Sequence, residues 1–400
     1  MPLSEEFGVP GPVWIPSKRS QAMPPFIVMD ILEKARLLEK KGIDVIHLEV
    51  GEPDFDTPKP IKEAAQKAIW DGETHYTTSL GLPELREAIC RHYYERYGVN
   101  VSPDQILVTS GTSPAMLLVF DALINSGDEV ILSDPGYSCY KNIVAHSGGV
   151  PRTVPLKEED GYRYRVDEIK RMINPRTRAI VVNSPANPTG ALIPPEDLEA
   201  ISNLQLPVVS DEIYHGLVYG EREHSILEFT DKAIVINGFS KLYAMTGWRL
   251  GYVIAPPEFI RPMQKMQQNF LICAPAFAQR AAISAFTECQ EHIRNMVRIY
   301  DKRRRHIIKR LREIGFGVQV EPKGAFYVLA NARMFCQDSY RFANEILEHA
   351  HVAVAPGVDF GANAEGYLRF SYANSLENIE EGMRRLHRFL EDGRASFFRL

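Results

Sequence analysis

The sequence predicts an α/β protein, with a large domain whose mostly parallel central sheet is sandwiched by helices and a smaller α+β domain. Three observations carry this. Short runs rich in Val and Ile alternate with amphipathic segments through the middle of the chain, the pattern of parallel strands covered on both faces. After about residue 287 the texture changes to a long charged helix followed by separated strands and helices. Finally, 400 residues with 45% hydrophobic content are enough to bury a large core and a satellite.

The Pro-rich opening, 1–25, reads as an extended arm. FIVMDILEKARLLEKKG (26–42) has helical apolar spacing and a glycine stop, and DVIHLEV (44–50) reads as a strand ending at Gly51. Helical patterns cover roughly 59–70 and 83–97. Strands and helices then alternate from QILVTS through PAMLLVFDALI, EVILSD, YSCYKNIVAHSG, VPRTVPL, VDEIKRMI, RAIVVNS, PEDLEAIS, LPVVSDE and AIVINGF to LGYVIA. Beyond them lie a charged helix (288–314), GVQV, GAFYVLA, a helix near 337–350, HVAVAP, YLRFSYA and a last helix near 376–391. The expected division is an arm and helix (1–50) joining the small domain, a large domain (51–287) and a C-terminal small domain (288–400).

Composition narrows the function classes. The formal net charge of −5 argues against nucleic acid as a partner. The basic run DKRRRHIIKRLRE (301–313) is interrupted by Ile307, Ile308 and Leu311, and reads as a solvated helix face. Five scattered cysteines without a CxxC pair point to neither a metal site nor a disulfide framework. No apolar run approaches the ~18 residues of a membrane span, and the start lacks a basic region followed by an apolar core. The expectation is a soluble, cytoplasmic protein without metal.

Ligands of an open α/β sheet bind at the carboxyl ends of its strands, and those ends are chemically loaded. After QILVTS comes Ser110-Gly111-Thr112-Ser113, then Pro114 opening an apolar helix. A glycine turn feeding a helix N-terminus is an anion cradle, with phosphate its usual guest, although an ordinary N-cap accounts for the same residues. The next ends present Tyr137, then Asn187 in a Pro-bracketed turn, then Asp211 with Tyr214, then Lys241 with Arg249 eight positions on.

In this order the motifs GEPDFDTP (51–58), HYTTSLGLPELREAI (75–89), SGTSPAM (110–116), DPGYSCY (134–140), NSPANPTG (183–190), SDEIY (210–214), SKLYAMTGWRLGY (240–252), GAFYVL (324–329) and LRFSYA (368–373) span nearly the whole chain. They resemble those of fold type I pyridoxal-phosphate enzymes of the class I/II aminotransferase family. The resemblance implies the PLP-dependent transferase fold, with pyridoxal 5′-phosphate as cofactor. It implies that Lys241 forms the Schiff base and then serves as the base at the substrate Cα. Asp211 would pair with the pyridine nitrogen, Asn187 and Tyr214 with the ring oxygen, and Tyr137 would stack on the ring. Arg249, Ser240 and the turn Gly111-Thr112-Ser113 would hold the phosphate. Tyr76 would reach the phosphate of the other subunit, making a homodimer with shared active sites. Arg369, with Gly51 and Asn187, would receive the substrate α-carboxylate.

The implied reaction is ping-pong transfer of an amino group from an L-amino acid to a 2-oxo acid such as 2-oxoglutarate. Some aspartate-specific relatives carry a lysine where this chain has Ser113, which removes one receptor for a side-chain carboxylate; Lys18, Arg19 and Lys323 are candidates to compensate. Val13, Trp14, Ile15, Phe26 and Tyr327 are apolar candidates for a pocket taking neutral, alanine-like, methionine, branched-chain or aromatic donors. The alternatives are a lyase of the same fold, acting on a β-C–S bond or forming an aminocyclopropane carboxylate, and a non-catalytic effector-binding module.

Overall fold

A computed structural model describes residues 14–393. The first part of the chain forms α1 (Lys18–Gln21), α2 (Ile27–Glu39), β1 (Ile46–His47), α3 (Lys59–Trp70), α4 (Pro83–Tyr97), β2 (Ile106–Thr109) and α5 (Thr112–Leu123). Then come β3 (Glu129–Asp134), α6 (Cys139–His146), β4 (Val150–Pro155), α7 (Val166–Met172), β5 (Thr177–Asn183), α8 (Pro195–Ser202), β6 (Val208–Asp211), β7 (Ala233–Gly238) and β8 (Gly251–Ile254). The remainder comprises α9 (Pro257–Phe270), α10 (Ala276–Glu288), α11 (Gln290–Ile314), β9 (Tyr327–Asn331), α12 (Ser339–Glu345), β10 (Val352–Ala353), β11 (Ala355–Pro356), β12 (Tyr367–Ser371) and α13 (Leu376–Glu391).

Among the described residues, seven strands form the central sheet in the order β2-β8-β7-β6-β5-β3-β4, and only β8 runs antiparallel to its neighbours. The connection 239–250 between β7 and β8 is too short for a crossover helix, so the chain turns back beside β7. Alternate residues of each strand enter opposite cores: Ile180 and Val182 of β5 belong to one apolar cluster, Ala179 and Val181 to the other. α5 and α9 cover the second face. A smaller antiparallel sheet, β11-β12-β9, carries Arg369 on its middle strand, paired with Ala355 and Leu329. β1 pairs in parallel with β10, tying the two ends of the chain together.

Several expectations need correction. The opening is not extended throughout, because Ser17 caps a single helical turn, α1, by accepting from Ser20 N. The strand expected at 44–50 is laddered only at Ile46–His47. Beyond it Leu48 bonds on both sides, its N–H to Ala353 O and its carbonyl to Ser371 N, and the chain turns into the site described below. GVQV (317–320) makes one isolated bridge, Gly317 to Asn331, and no strand. α5 begins at Thr112, two residues before Pro114, so that proline stands third rather than first in the helix. α9 and α10 fill a stretch to which the sequence pattern assigned nothing; Pro262 inside α9 interrupts its apolar spacing. The basic run lies on α11, where Arg303 pairs with Asp54, Arg304 with Asp301, and Arg310 with Glu380. Among the described residues no helix is long and apolar enough to cross a membrane.

Candidate active site

A cavity of about 580 Å³ opens at the carboxyl ends of β3, β5, β6 and β7, within the range of small-molecule sites. Parallel strands end on one side of the sheet, so the residues following them converge without any local signal between them. Tyr137, Asn187, Asp211, Tyr214, Ser240 and Lys241 line it from these ends. Thr112 and Ser113 line it from the start of α5, where a helix N-terminus offers free N–H groups and the positive end of its dipole. Arg249, Gly51 and Arg369 complete the wall.

Lys241 Nζ donates to Gly51 O at 2.5 Å. Burial lowers its pKa to about 8, opposed by the carboxylates of Glu52 and Asp211 and assisted by Arg369 and Arg249. Asp211 is buried at the end of β6. Its Oδ2 accepts from Tyr140 Oη at 2.6 Å and its Oδ1 from Ile213 N at 3.1 Å. Burial raises its pKa to about 6, and the Tyr140 hydroxyl, the Ile213 amide and Lys241 pull the other way. The Asp211 carbonyl accepts from Asn183 Nδ2 at 2.9 Å, while Asn183 Oδ1 accepts from Asn187 N at 2.8 Å, so two strand ends are held together.

The loop after Lys241 has two non-glycine residues with left-handed backbone, Ala244 (φ 49°) and Arg249 (φ 55°). Arg249 Nη1 donates to Thr246 O at 2.8 Å. Its guanidinium rests so close to Gly111 that a Cβ there would stand 2.7 Å from Nη2. Only glycine lets the arginine approach the start of α5, and Gly111 also takes φ +103°.

Arg369 is 2% exposed. Nη1 donates to Asn187 Oδ1 at 2.9 Å and Nη2 donates to Glu49 O. Its Cζ lies 4.3 Å from the Tyr327 ring centre and 4.7 Å from that of Phe360. Nε is buried without a partner among the described residues, leaving donor capacity for a ligand anion. Tyr327 Oη bonds Tyr214 Oη at 2.8 Å, and a Cβ on Gly51 would stand 2.1 Å from Tyr327 Oη.

Other expectations separate from the cavity. Tyr76 is 78% exposed and is not among the residues lining this chain's cavity. Phe26 and Tyr327 line it, whereas Trp14 and Ile15 stand in solvent, so their expected place as lining is corrected for the single chain. Val13 lies outside the described residues. Lys323 pairs with Glu221, and Lys18 and Arg19 are exposed on α1. The sequence reading missed Tyr140, Asn183, Glu52 and the α2 wall of Val28, Met29 and Leu32. Tyr140 had a signal, since it follows Tyr137 by three positions in the same motif, and in the structure the two rings meet edge-on with centres 5.3 Å apart.

The donor set fits pyridoxal phosphate: a lysine amine of lowered pKa, a buried carboxylate, an aromatic face at Tyr137, and an arginine beside a helix N-terminus that only Gly111 permits.

The family model for aminotransferase class I and II matches residues 43–386. The chain is 43% identical to a (5-formylfuran-3-yl)methyl phosphate transaminase of Methanocaldococcus jannaschii, over 94% of this chain and 99% of that protein. It is 39% identical to an aspartate aminotransferase of Pyrococcus horikoshii, over 91% and 94% of the respective chains. The structure of an aspartate aminotransferase from Thermus thermophilus with maleate superposes with a TM-score of 0.91 at 38% identity, covering 94% of this chain and all of that one.

Proposed function

The chain belongs to the class I and II aminotransferase family, whose cofactor is pyridoxal phosphate, and on that premise we propose that it moves an amino group from a neutral L-amino acid (alanine-like, branched-chain or aromatic) to a 2-oxo acid such as 2-oxoglutarate. The observation that carries this reading is one lysine of lowered pKa set between a buried carboxylate and a buried arginine in a single cavity. When bound, the cofactor supplies an aldehyde for the amine and a ring that withdraws electrons from the substrate Cα.

Each residue then has a task. Arg249, Ser240, Thr112 and Ser113, behind which Gly111 makes room, hold the phosphate. Asp211, kept in place by Tyr140, pairs with the ring nitrogen. Asn187 and Tyr214 bond the ring oxygen, and Tyr137 covers a face of the ring. Arg369 takes the substrate carboxylate in fork geometry, with Asn187 and Gly51 beside it. Lys241 would hold the cofactor through its amine and carry the proton at the substrate Cα, work that its lowered pKa of about 8 suits.

The preference for neutral donors draws support from the apolar wall of Phe26, Val28, Met29, Leu32, Met116 and Ile213. The lining cations, Lys241, Arg249 and Arg369, are all engaged by the tasks above. A homodimer with shared sites is part of the proposal. Tyr76, Trp70 at 82% exposure and Phe270 at 63% leave apolar surface that a second copy would cover. So are a division of the chain near residues 51 and 287 and a cytoplasmic setting, the latter in keeping with five free cysteines.

The test is a half-reaction titration. Holoenzyme free of oxo acid is mixed with single amino acids while its visible absorbance is followed. The expected result is loss of the lysine-bound band and its return on adding 2-oxoglutarate or pyruvate. Pyruvate and ammonia accumulating from cysteine or cystathionine without any oxo acid would replace this reading with the lyase.

A further inference from the structure

Helix α2 begins without a cap of its own. Its N-cap residue is Phe26, whose side chain has no oxygen to offer the first-turn N–H groups. The acceptors come from the far end of the chain: Asp359 Oδ1 accepts from Ile27 N and Oδ2 from Val28 N, each at 3.4 Å. Asp359 is buried, and burial raises its pKa while the two amides, Arg369 and Lys141 pull it down.

The turn holding Asp359 touches the site in two other places. The Phe360 ring covers a face of the Arg369 guanidinium, and Phe360 O accepts from Gly136 N at 2.9 Å, next to Tyr137. Phe26 in turn meets Tyr137 edge-on, with ring centres 6.0 Å apart. The first turn of α2 is therefore anchored on this turn as well as on the main core. Val28 packs with Ala355, Phe360 and Ala364 in a small cluster of its own, while Ile27, Ile31 and Ala35 meet the main core.

We propose that Asp359 is a positioning residue that seats the first turn of α2, and with it the wall formed by Phe26 and Met29 against the donor side chain, on the same turn that orients Arg369. This rests on the aminotransferase reading and deepens it. Asp359 touches neither cofactor nor substrate in this account. It fixes the side-chain wall relative to the carboxylate receptor, so that a donor held at Arg369 meets the wall at a set distance.

The test uses holoenzyme of the parent, Asp359→Ala and Asp359→Asn, in single-turnover titrations with alanine, leucine and phenylalanine. Cofactor absorbance should be unchanged in all three proteins. In D359A the donor dissociation constant should rise about tenfold for leucine and phenylalanine, the scale of a lost helix cap, and less than about threefold for alanine. D359N keeps one acceptor oxygen and should fall between; it carries the test if the alanine variant does not fold. Combined with Phe26→Ala, D359A should add no further loss for phenylalanine, because both act through the same wall. Equal losses for all donors, unchanged constants, or fully additive losses would overturn the inference. A parent that gives no half-reaction with any amino acid would overturn the aminotransferase reading and this inference with it, whereas a working parent beside non-discriminating variants overturns the inference alone.

Discussion

Replacing Tyr140 by Phe removes one oxygen, the one that donates to Asp211 Oδ2 at 2.6 Å. Cofactor binding on the proposed reading needs Asp211 ionised, to face the ring nitrogen. Burial already lifts its pKa to about 6, and the Tyr140 hydroxyl is the largest influence pulling it down. A hydrogen bond to a charged acceptor contributes about 1.5–3 kcal/mol, and about 1.4 kcal/mol corresponds to one pKa unit. The variant's Asp211 should therefore titrate roughly one to two units higher than in the parent. The sign follows from linkage: affinity for a ligand that requires the carboxylate is full above the pKa and falls about tenfold per pH unit below it. At pH 7 the parent is roughly nine-tenths ionised and the variant roughly one-half to one-tenth, a loss of about two- to tenfold. At pH 5 the loss should reach about ten- to a hundredfold, and at pH 9 it should nearly vanish. The assay is titration of apoenzyme with pyridoxal phosphate by absorbance from pH 5 to 9, taking the ratio of variant to parent, which cancels the titration of the phosphate and of Lys241. A ratio that does not change with pH would refute the link between Tyr140 and Asp211, and a constant loss would leave Tyr140 as packing only.

Three further outcomes follow from the same geometry. Reloading of apoenzyme should speed up about tenfold per pH unit below pH 8 and level off above it, because burial holds the Lys241 amine at about 8 and only the neutral amine attacks the aldehyde; stopped-flow absorbance reads this directly. Gly51→Ala should drive a methyl group into the Tyr327 hydroxyl, break its bond to Tyr214 and cost about 1–3 kcal/mol of stability, seen in denaturant unfolding together with weakened donor binding. His215 is buried against Tyr97, and burial lowers its pKa to about 4. The unfolded chain takes up that proton first, so stability present above pH 6.5 should be lost as pH falls toward 4, by at most roughly 3 kcal/mol. Urea unfolding at pH 5 and 7.5 should show a smaller difference for His215→Asn than for the parent, the remainder including His92, whose pKa burial also lowers to about 4.

The mostly parallel sheet and the order of its chemistry are legible along the chain. Runs such as AIVV (179–182) and AIVI (233–236) are apolar at every position because both faces are covered, and this is visible locally. Because parallel strands all end on one side, Tyr137, Asn187, Asp211 and Lys241 at successive strand ends converge on one cavity. Arg369 was legible through the alternation of YLRFS, with Leu368 and Phe370 in the core.

Which groups hold those residues in place depends on packing between distant parts of the chain. Tyr140 reaches Asp211 because α6 follows β3 while β6 lies two strands away, a relation that no window of sequence contains. Glu49 O meets Arg369 where the strand read as 44–50 leaves its ladder. The α2 wall, with Phe26 at the N-cap, looks like a poorly started helix until Asp359 arrives from the other end of the chain to accept its free N–H groups. The physical reason is the same in each case. Periodicity and turn chemistry are properties of neighbours along the chain, whereas a buried donor is satisfied by whichever acceptor the packing brings to it.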